Sequence, residues 1–469
     1  MMLNRLSRID LILFLISLLI VFNGLDFPFY WDNVVQISVP ANWYYETNFN
    51  YFYVPDELAT GHQTFVGMLF AGVWKIFGRT LLVSHFFMLP FVFGFLYQLH
   101  KLLINLQIKV LSTRILILIF ILIDATVLSQ LSGLTFEVFH LFFFLLCINA
   151  TLEKRNFLLM IAFVLLAQTS LRGTISAGGI MGFQFLYQYA NKTKFSYKNY
   201  LVYIPGLISI VLFLVLFKVH KGWVIANTVS NNWKESGELA SVNEIARNIG
   251  VFGWRLIDFG RVFIFLLFAF LSMQSLRKWR FKDHIIQTLF LIAMTQFILF
   301  FAIIIIFRNP FGHRYLIPIM IPIIIVTVYW ISTYLRRPWL WLSLCFISLV
   351  SGHFWLYPEK VSQGWDATTM HWNFFEVSDE MEDYLTRTEM DRTKIGTFFP
   401  HYKLMKNYQL KSKERISYQK ATENETDYIL YSNTFNVSDS IVDNLHKKWQ
   451  LIQEFEQNRV FIQLLKKKE

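Results

Sequence analysis

The stretch RIDLILFLISLLIVFNGLDFPFYWDNV, Arg8 to Val34, decides how the chain is read. Residues 9–25 are apolar over a length suited to a membrane span, and Arg5 and Arg8 precede them. No small-x-small cleavage site follows, so the run reads as an uncleaved first span. Just past it stands Asp32, with Phe27, Phe29, Tyr30 and Trp31 before it and Trp43, Tyr44 and Tyr45 after it. A solvated loop needs no such aromatic packing, and a membrane anchor needs no carboxylate.

Working outward, the same apolar pattern recurs. The chain has 469 residues, 55% hydrophobic and 16% charged, with a mean hydropathy of +0.43. A soluble protein carries about 25% charged residues. Apolar runs fall near 9–25, 81–100, 114–132, 136–152, 157–172, 174–190, 200–219, 256–275, 285–307, 315–334 and 339–357. The expectation is a polytopic α-helical membrane protein of about eleven spans, with aromatic belts from its 49 Phe. The net charge of +11 comes from Lys and Arg gathered in short alternate loops, which suits the positive-inside rule better than nucleic-acid binding. Those loops hold Lys101, Lys109 and Arg114; Lys154 and Arg155; Lys192, Lys194 and Lys198; Arg277, Lys278, Arg280 and Lys282; and Arg336 and Arg337. They place the N-terminus in the cytoplasm and put loops 26–80 and 220–255, with the tail 358–469, outside.

The tail is more polar. DYILYS, Asp427 to Ser432, and RVFIQLL, Arg459 to Leu465, read as strands, and Ser438 to Trp449 as a capped helix. A small external α/β domain without catalytic residues is expected at 358–469, beside a membrane domain at 1–357. The apolar stretch ending in WKIFG, Trp74 to Gly78, is too short for a span and is expected along the interface. Cys147 and Cys345 sit inside apolar runs and imply no disulfide framework. Gly-rich phosphate loops, CxxC pairs and HExxH are absent.

Three groups of residues could carry chemistry. A partly desolvated Asp32 would have raised proton affinity and could serve as a general base; the bland reading is a loop acid beside an aromatic belt. Glu137, in SGLTFEVF, either caps a helix N-terminus or completes a polar site with Asp32. Arg172 in SLRGT, and Arg308, His313 and Arg314 in RNPFGHRYLIP, are external cations against the positive-inside trend. Arginine forks hold phosphate; snorkelling to headgroups is the alternative, and it suits Arg308 alone. His313 lacks the spaced partners of a metal ligand. His62, Asp56 and Glu57, in PDELATGH, are open to either reading.

The order of these pieces resembles the GT-C superfamily of membrane glycosyltransferases, in the bacterial branch related to protein O-mannosyltransferases and aminoarabinose transferases. The pieces are HQTFVGMLFAGVWKIFGRTLLVSH, LSGLTFEVFHLFFFLLCINATLEKRN, QTSLRGT and GHRYLIPIMIP. The resemblance implies a GT-C-like fold at 1–357, Asp32 as catalytic base and Glu137 as the second external acid. It puts Arg172 where relatives often have a lysine, and Arg314 with Tyr315 near the lipid phosphate. His62, Arg308 and His313 complete the expected substrate-binding set. It implies transfer of a sugar from a polyprenyl-phosphate carrier to a lipid, glycan or protein acceptor outside a bacterial inner membrane. Asp32-Asn33 stands where the family has Asp-Glu, and Gly61-His62-Gln63 replaces its proline pair, which leaves the donor and a divalent metal ion open. The rival functions are a transporter or flippase of lipid-linked glycans, which would need ionisable residues along the bundle midplane, and a non-catalytic envelope assembly subunit. Midspan charges are few, and Asp124 is an exception.

Overall fold

The computed structural model describes residues 8–192, 196–224, 237–277, 283–308, 311–402, 405–410, 418–421 and 426–468. Arg5, Lys194, Lys278, Arg280, Lys282, Lys411, Lys413 and Glu414 lie outside the described residues, as do 225–236 of the second outer loop.

Each apolar run forms a helix, but the runs differ in reach. Leu81–Asn105, Tyr197–Lys221, His284–Ile306 and His313–Tyr334 are long and apolar enough to cross a membrane. Two bent pairs, Leu111–Leu122 with Ala125–Ser132 (74°) and Val242–Ile257 with Val262–Gln274 (102°), raise the number from four to six if each is one span. The expected eleven is therefore not established. Arg8–Asn23 and Glu137–Leu152 have 16 residues and Asn156–Thr169 has 14. At a rise of about 1.5 Å per residue they extend roughly 21–24 Å, short of a hydrocarbon core of about 30 Å.

The helices pack around His313–Tyr334, whose most apolar window is 83% buried, against 17% for Tyr197–Lys221 at the periphery. Leu207, Ile208, Val211, Leu212 and Val215 form the exposed apolar face of that outer helix. A face of this kind suits lipid contact.

Both bends have local causes. Asp124, expected at midspan, stands at the break and starts a new helix. Its Oδ1 accepts from the backbone N–H groups of Thr126 (3.1 Å) and Val127 (3.0 Å). At the other corner Gly260 has φ +79°, and a Cβ there would lie 1.9 Å from the carbonyl oxygen of Ser348, so only glycine fits. The corners are joined: Arg261 Nε donates to Asp124 Oδ2 at 2.6 Å and its Nη2 to Oδ1 at 2.8 Å, with both side chains fully buried. The segment 220–255, expected as loop, contains most of the helix Val242–Ile257, started by a capping box between Ser241 and Glu244.

The tail forms a five-stranded sheet, with β1 Ile395–Thr397, β2 Gln419–Lys420, β3 Tyr428–Ser432, β4 Trp449–Gln457 and β5 Val460–Lys467. The order is β2-β1-β3-β5-β4. β1 runs parallel to β2 and β3, and β5 is antiparallel to β3 and β4. The expected strands at 427–432 and 459–465 and the expected helix match β3, β5 and Asp439–Lys448 closely, but the Ser438 side chain makes no cap bond to a backbone N–H. β4 was not expected, since WQLIQEFEQ is an edge strand whose polar positions obscure its alternation.

The aromatic nest around Asp32 joins the two parts. Phe29 enters the helical core, 5.7 Å from Phe70 and 6.3 Å from Trp74 between ring centres. Its neighbour Tyr30 enters the tail core instead, stacked 4.8 Å from His371. Trp31 follows with φ +49°, a left-handed turn rare for a bulky side chain. Adjacent side chains locked into opposite cores fix the backbone that carries Asp32.

Candidate active site

The first turns of three helices supply the charged centre. Glu137 opens Glu137–Leu152, Arg172 lies in the first turn of Leu171–Ala190, and Arg314 lies in the short turn His313–Leu316 before the central helix. Glu137, Arg172 and Arg314 are all buried. Helix N-termini carry partial positive charge, which favours anions nearby.

Arg314 is the hub. Its guanidinium donates to the Asp32 carboxylate and pairs with the Asp366 carboxylate, and its Nε lies 3.2 Å from Glu137 Oε1. Arg172 donates to the same Glu137 oxygen. The Arg172 guanidinium is held between rings, its central carbon 3.8 Å from the centre of Tyr315 and 4.2 Å from that of Phe136. Its Nη2 is buried without a hydrogen-bond partner, as is Glu137 Oε2. The Arg172 Nη2 donor and the Glu137 Oε2 acceptor are thus both unused.

His62 lies close enough to feel Arg172, Asp32 and Arg314. Burial, reinforced by Arg172, pushes its imidazole down to about 3, so it is neutral near pH 7. His313 faces away from the hub: its Nε2 lies 2.6 Å from Asp258 Oδ2 and 3.2 Å from Arg255 Nη1. Asp258 also accepts from the Tyr357 hydroxyl and, at 2.8 Å, from the Phe259 N–H. His313 therefore anchors the turn that presents Arg314. Arg308 is not brought to the hub; it is partly exposed and pairs with Glu238 at 2.8 Å and Glu244 at 3.2 Å. Asp56 pairs with Lys221 at 2.7 Å, also elsewhere.

The tail, expected to hold no catalytic residue, supplies Asp366, whose carboxylate pairs with Arg314. The backbone around it is tied to the helix Ala125–Ser132: Ser129 Oγ donates to the Asp366 carbonyl at 2.7 Å, Gln130 Nε2 donates to the same oxygen, and Thr126 Oγ1 donates to the Ala367 carbonyl at 3.0 Å. Gly364 permits the approach, since a Cβ there would stand 2.4 Å from His313 Nδ1. One signal was in the sequence: Asp32 and Asp366 each directly follow a tryptophan, Trp31 and Trp365. The spacing of Arg255, Asp258 and Arg261 in RLIDFGR, isolated charges in an apolar setting, was another.

Among the described residues, no group of three or more His, Cys, Asp or Glu is set to hold a metal ion. Asp32, Glu137 and Asp366 close on a guanidinium instead. The left-open divalent metal therefore finds no fitting ligand set there. No family model matches the chain, and no curated protein matches it in sequence.

Proposed function

We propose that the chain is a membrane glycosyltransferase that moves a sugar from a polyprenyl-phosphate carrier to a hydroxyl of a lipid, glycan or protein acceptor. In this reading the site faces the outside of a bacterial inner membrane and the tail is periplasmic. The observation that supports it is the meeting of Asp32, Glu137, Arg172 and Arg314, from four distant parts of the chain, with a buried donor of Arg172 left unpaired. Such a donor beside a second arginine suits a phosphate arriving from the membrane.

The donor phosphate would take up Arg172 Nη2 and displace a carboxylate from Arg314. Asp32, released from Arg314, becomes free to accept a proton. The acceptor oxygen then attacks the anomeric carbon and gives its proton to Asp32. The bond from that carbon to the phosphate oxygen breaks, and its electron pair leaves with the phosphate. One displacement inverts the anomeric centre. The arginines stabilise the growing phosphate charge, and the leaving group needs no proton.

The test is transfer by purified protein in liposomes carrying polyprenyl-phosphate sugars. Asp32→Asn should lower turnover by roughly 10²–10⁴-fold with membrane insertion intact. Arg172→Ala and Arg314→Ala should weaken use of the donor more than of the acceptor, and lysine should restore only part, since charge returns without the planar fork. Near-normal turnover of Asp32→Asn, or unchanged donor affinity in both arginine variants, would remove the basis of the reading.

A further inference from the structure

A small cavity lies where the tail meets the helical part, beside Asp32. Phe27, Leu134 and Phe375 form apolar walls, and Asn33, Gln130 and Asp366 supply polar ones. Asn33 and Gln130 are 2% and 1% exposed, yet Asn33 Oδ1 and Gln130 Oε1 have no hydrogen-bond partner. The orientation of the Gln130 amide is set by its Nε2, which donates to the Asp366 carbonyl. Its oxygen is therefore left as an acceptor. Unpaired buried amide oxygens are costly and uncommon, and two of them lining one cavity call for a ligand that donates hydrogen bonds. Asp366 lines the same cavity, with its carboxylate paired to Arg314. Acceptors beside aromatic rings suit a molecule with hydroxyls on one face and C–H groups on another.

We propose that this cavity, formed by Asn33, Gln130 and Asp366, binds the hydroxyl-bearing end of a carbohydrate. The tail segment around Asp366 is then part of substrate recognition. The proposal rests on the glycosyltransferase reading and deepens it: of the lipid, glycan and protein acceptors, it favours those that present a sugar, unless the hydroxyls belong to the donor sugar itself.

The test uses the full chain in a glycoside-free detergent, with methyl glucoside, mannoside and galactoside as probes and decyl phosphate as the anionic control. Saturation-transfer NMR should show at least one glycoside bound. Gln130→Met and Asn33→Ala should each weaken that binding roughly 5–10-fold, the effect of one lost hydrogen bond. Decyl phosphate binding should stay within about twofold, which shows that the variants are folded. In transfer assays, a raised KM for the acceptor alone assigns the hydroxyls to the acceptor, and a raised KM for the donor alone assigns them to the donor sugar; either supports the subsite. No glycoside binding by the wild type, or equal binding in both variants, means that ordered waters satisfy the amides, and overturns the proposal. Glycoside binding without decyl phosphate binding would retain the subsite and count against the transfer reaction.

Discussion

Asp32, Glu137 and Asp366 face Arg172 and Arg314, so the five groups carry a formal charge of −3 + 2 = −1. The surplus falls on Asp366. Burial raises its carboxyl above the ordinary 3.8; Arg314 opposes the rise, and Asp32 and Glu137 add to it. A carboxyl whose folded value exceeds its unfolded value binds its proton more tightly when folded. Its contribution to stability is therefore present below the unfolded value and is lost as pH rises through the folded value. Asp366→Asn should leave the thermal midpoint at pH 7 equal to wild type or higher, and the difference should vanish below about pH 4. A midpoint several degrees lower at pH 7 would mean that the pair with Arg314 outweighs burial. Asp32, Glu137, Arg172 and Arg314 were legible because each is a charge at the end of an apolar run. Asp366 showed only as an acid after a tryptophan, because its tethers to Ser129 and Gln130 cross more than two hundred residues of sequence.

At the scale of elements, the joined corners hold the site in place. The Ala125–Ser132 segment carries Gln130, and the Val242–Ile257 helix carries Arg255 next to Asp258. A fully buried pair that loses one partner leaves the other charge uncompensated, which costs about 3–5 kcal/mol, whereas replacing both with apolar residues is often neutral. Asp124→Ala should therefore lower the midpoint of the detergent-solubilised protein sharply, and Asp124→Leu with Arg261→Met should recover most of the loss. Equal loss in the single and double variants would show that the hydrogen bonds from Asp124 to the Thr126 and Val127 amides matter more than the pair. Most membrane-domain helices were legible from unbroken apolar runs, though Val242–Ile257 was read as loop. Their bends were not: hydropathy is silent on the cap at Asp124 and on its ion pair with Arg261, 137 residues away.

At the scale of the whole molecule, contact between the tail and the Asp32 loop puts both on one face. In the membrane reading that face is external. Ser438 is exposed at the start of Asp439–Lys448, and the native Cys147 and Cys345 are buried. A cysteine at position 438 should react with a membrane-impermeant reagent in intact spheroplasts. Reaction only after the membrane is opened would place tail and site in the cytoplasm. Strand and helix propensity made β3, β5 and the helix Asp439–Lys448 legible, but not β1, β2 or β4; the docking was not legible either, since it depends on Tyr30 and Phe27 finding partners at His371 and Phe375.

The position of Asp366 also bears on how the protein is made. Arg314 and Asp366 are 366 − 314 = 52 residues apart. At about 5–20 residues per second, that gap takes the ribosome roughly 3–10 s to translate. Through that interval Asp32, Glu137, Arg172 and Arg314 can assemble as a balanced set of charges. The nascent protein can then settle its helices around a neutral centre. The fifth charge and the Asp366 side of the cavity arrive last, so in the glycosyltransferase reading competence would be gained only once the tail has been made.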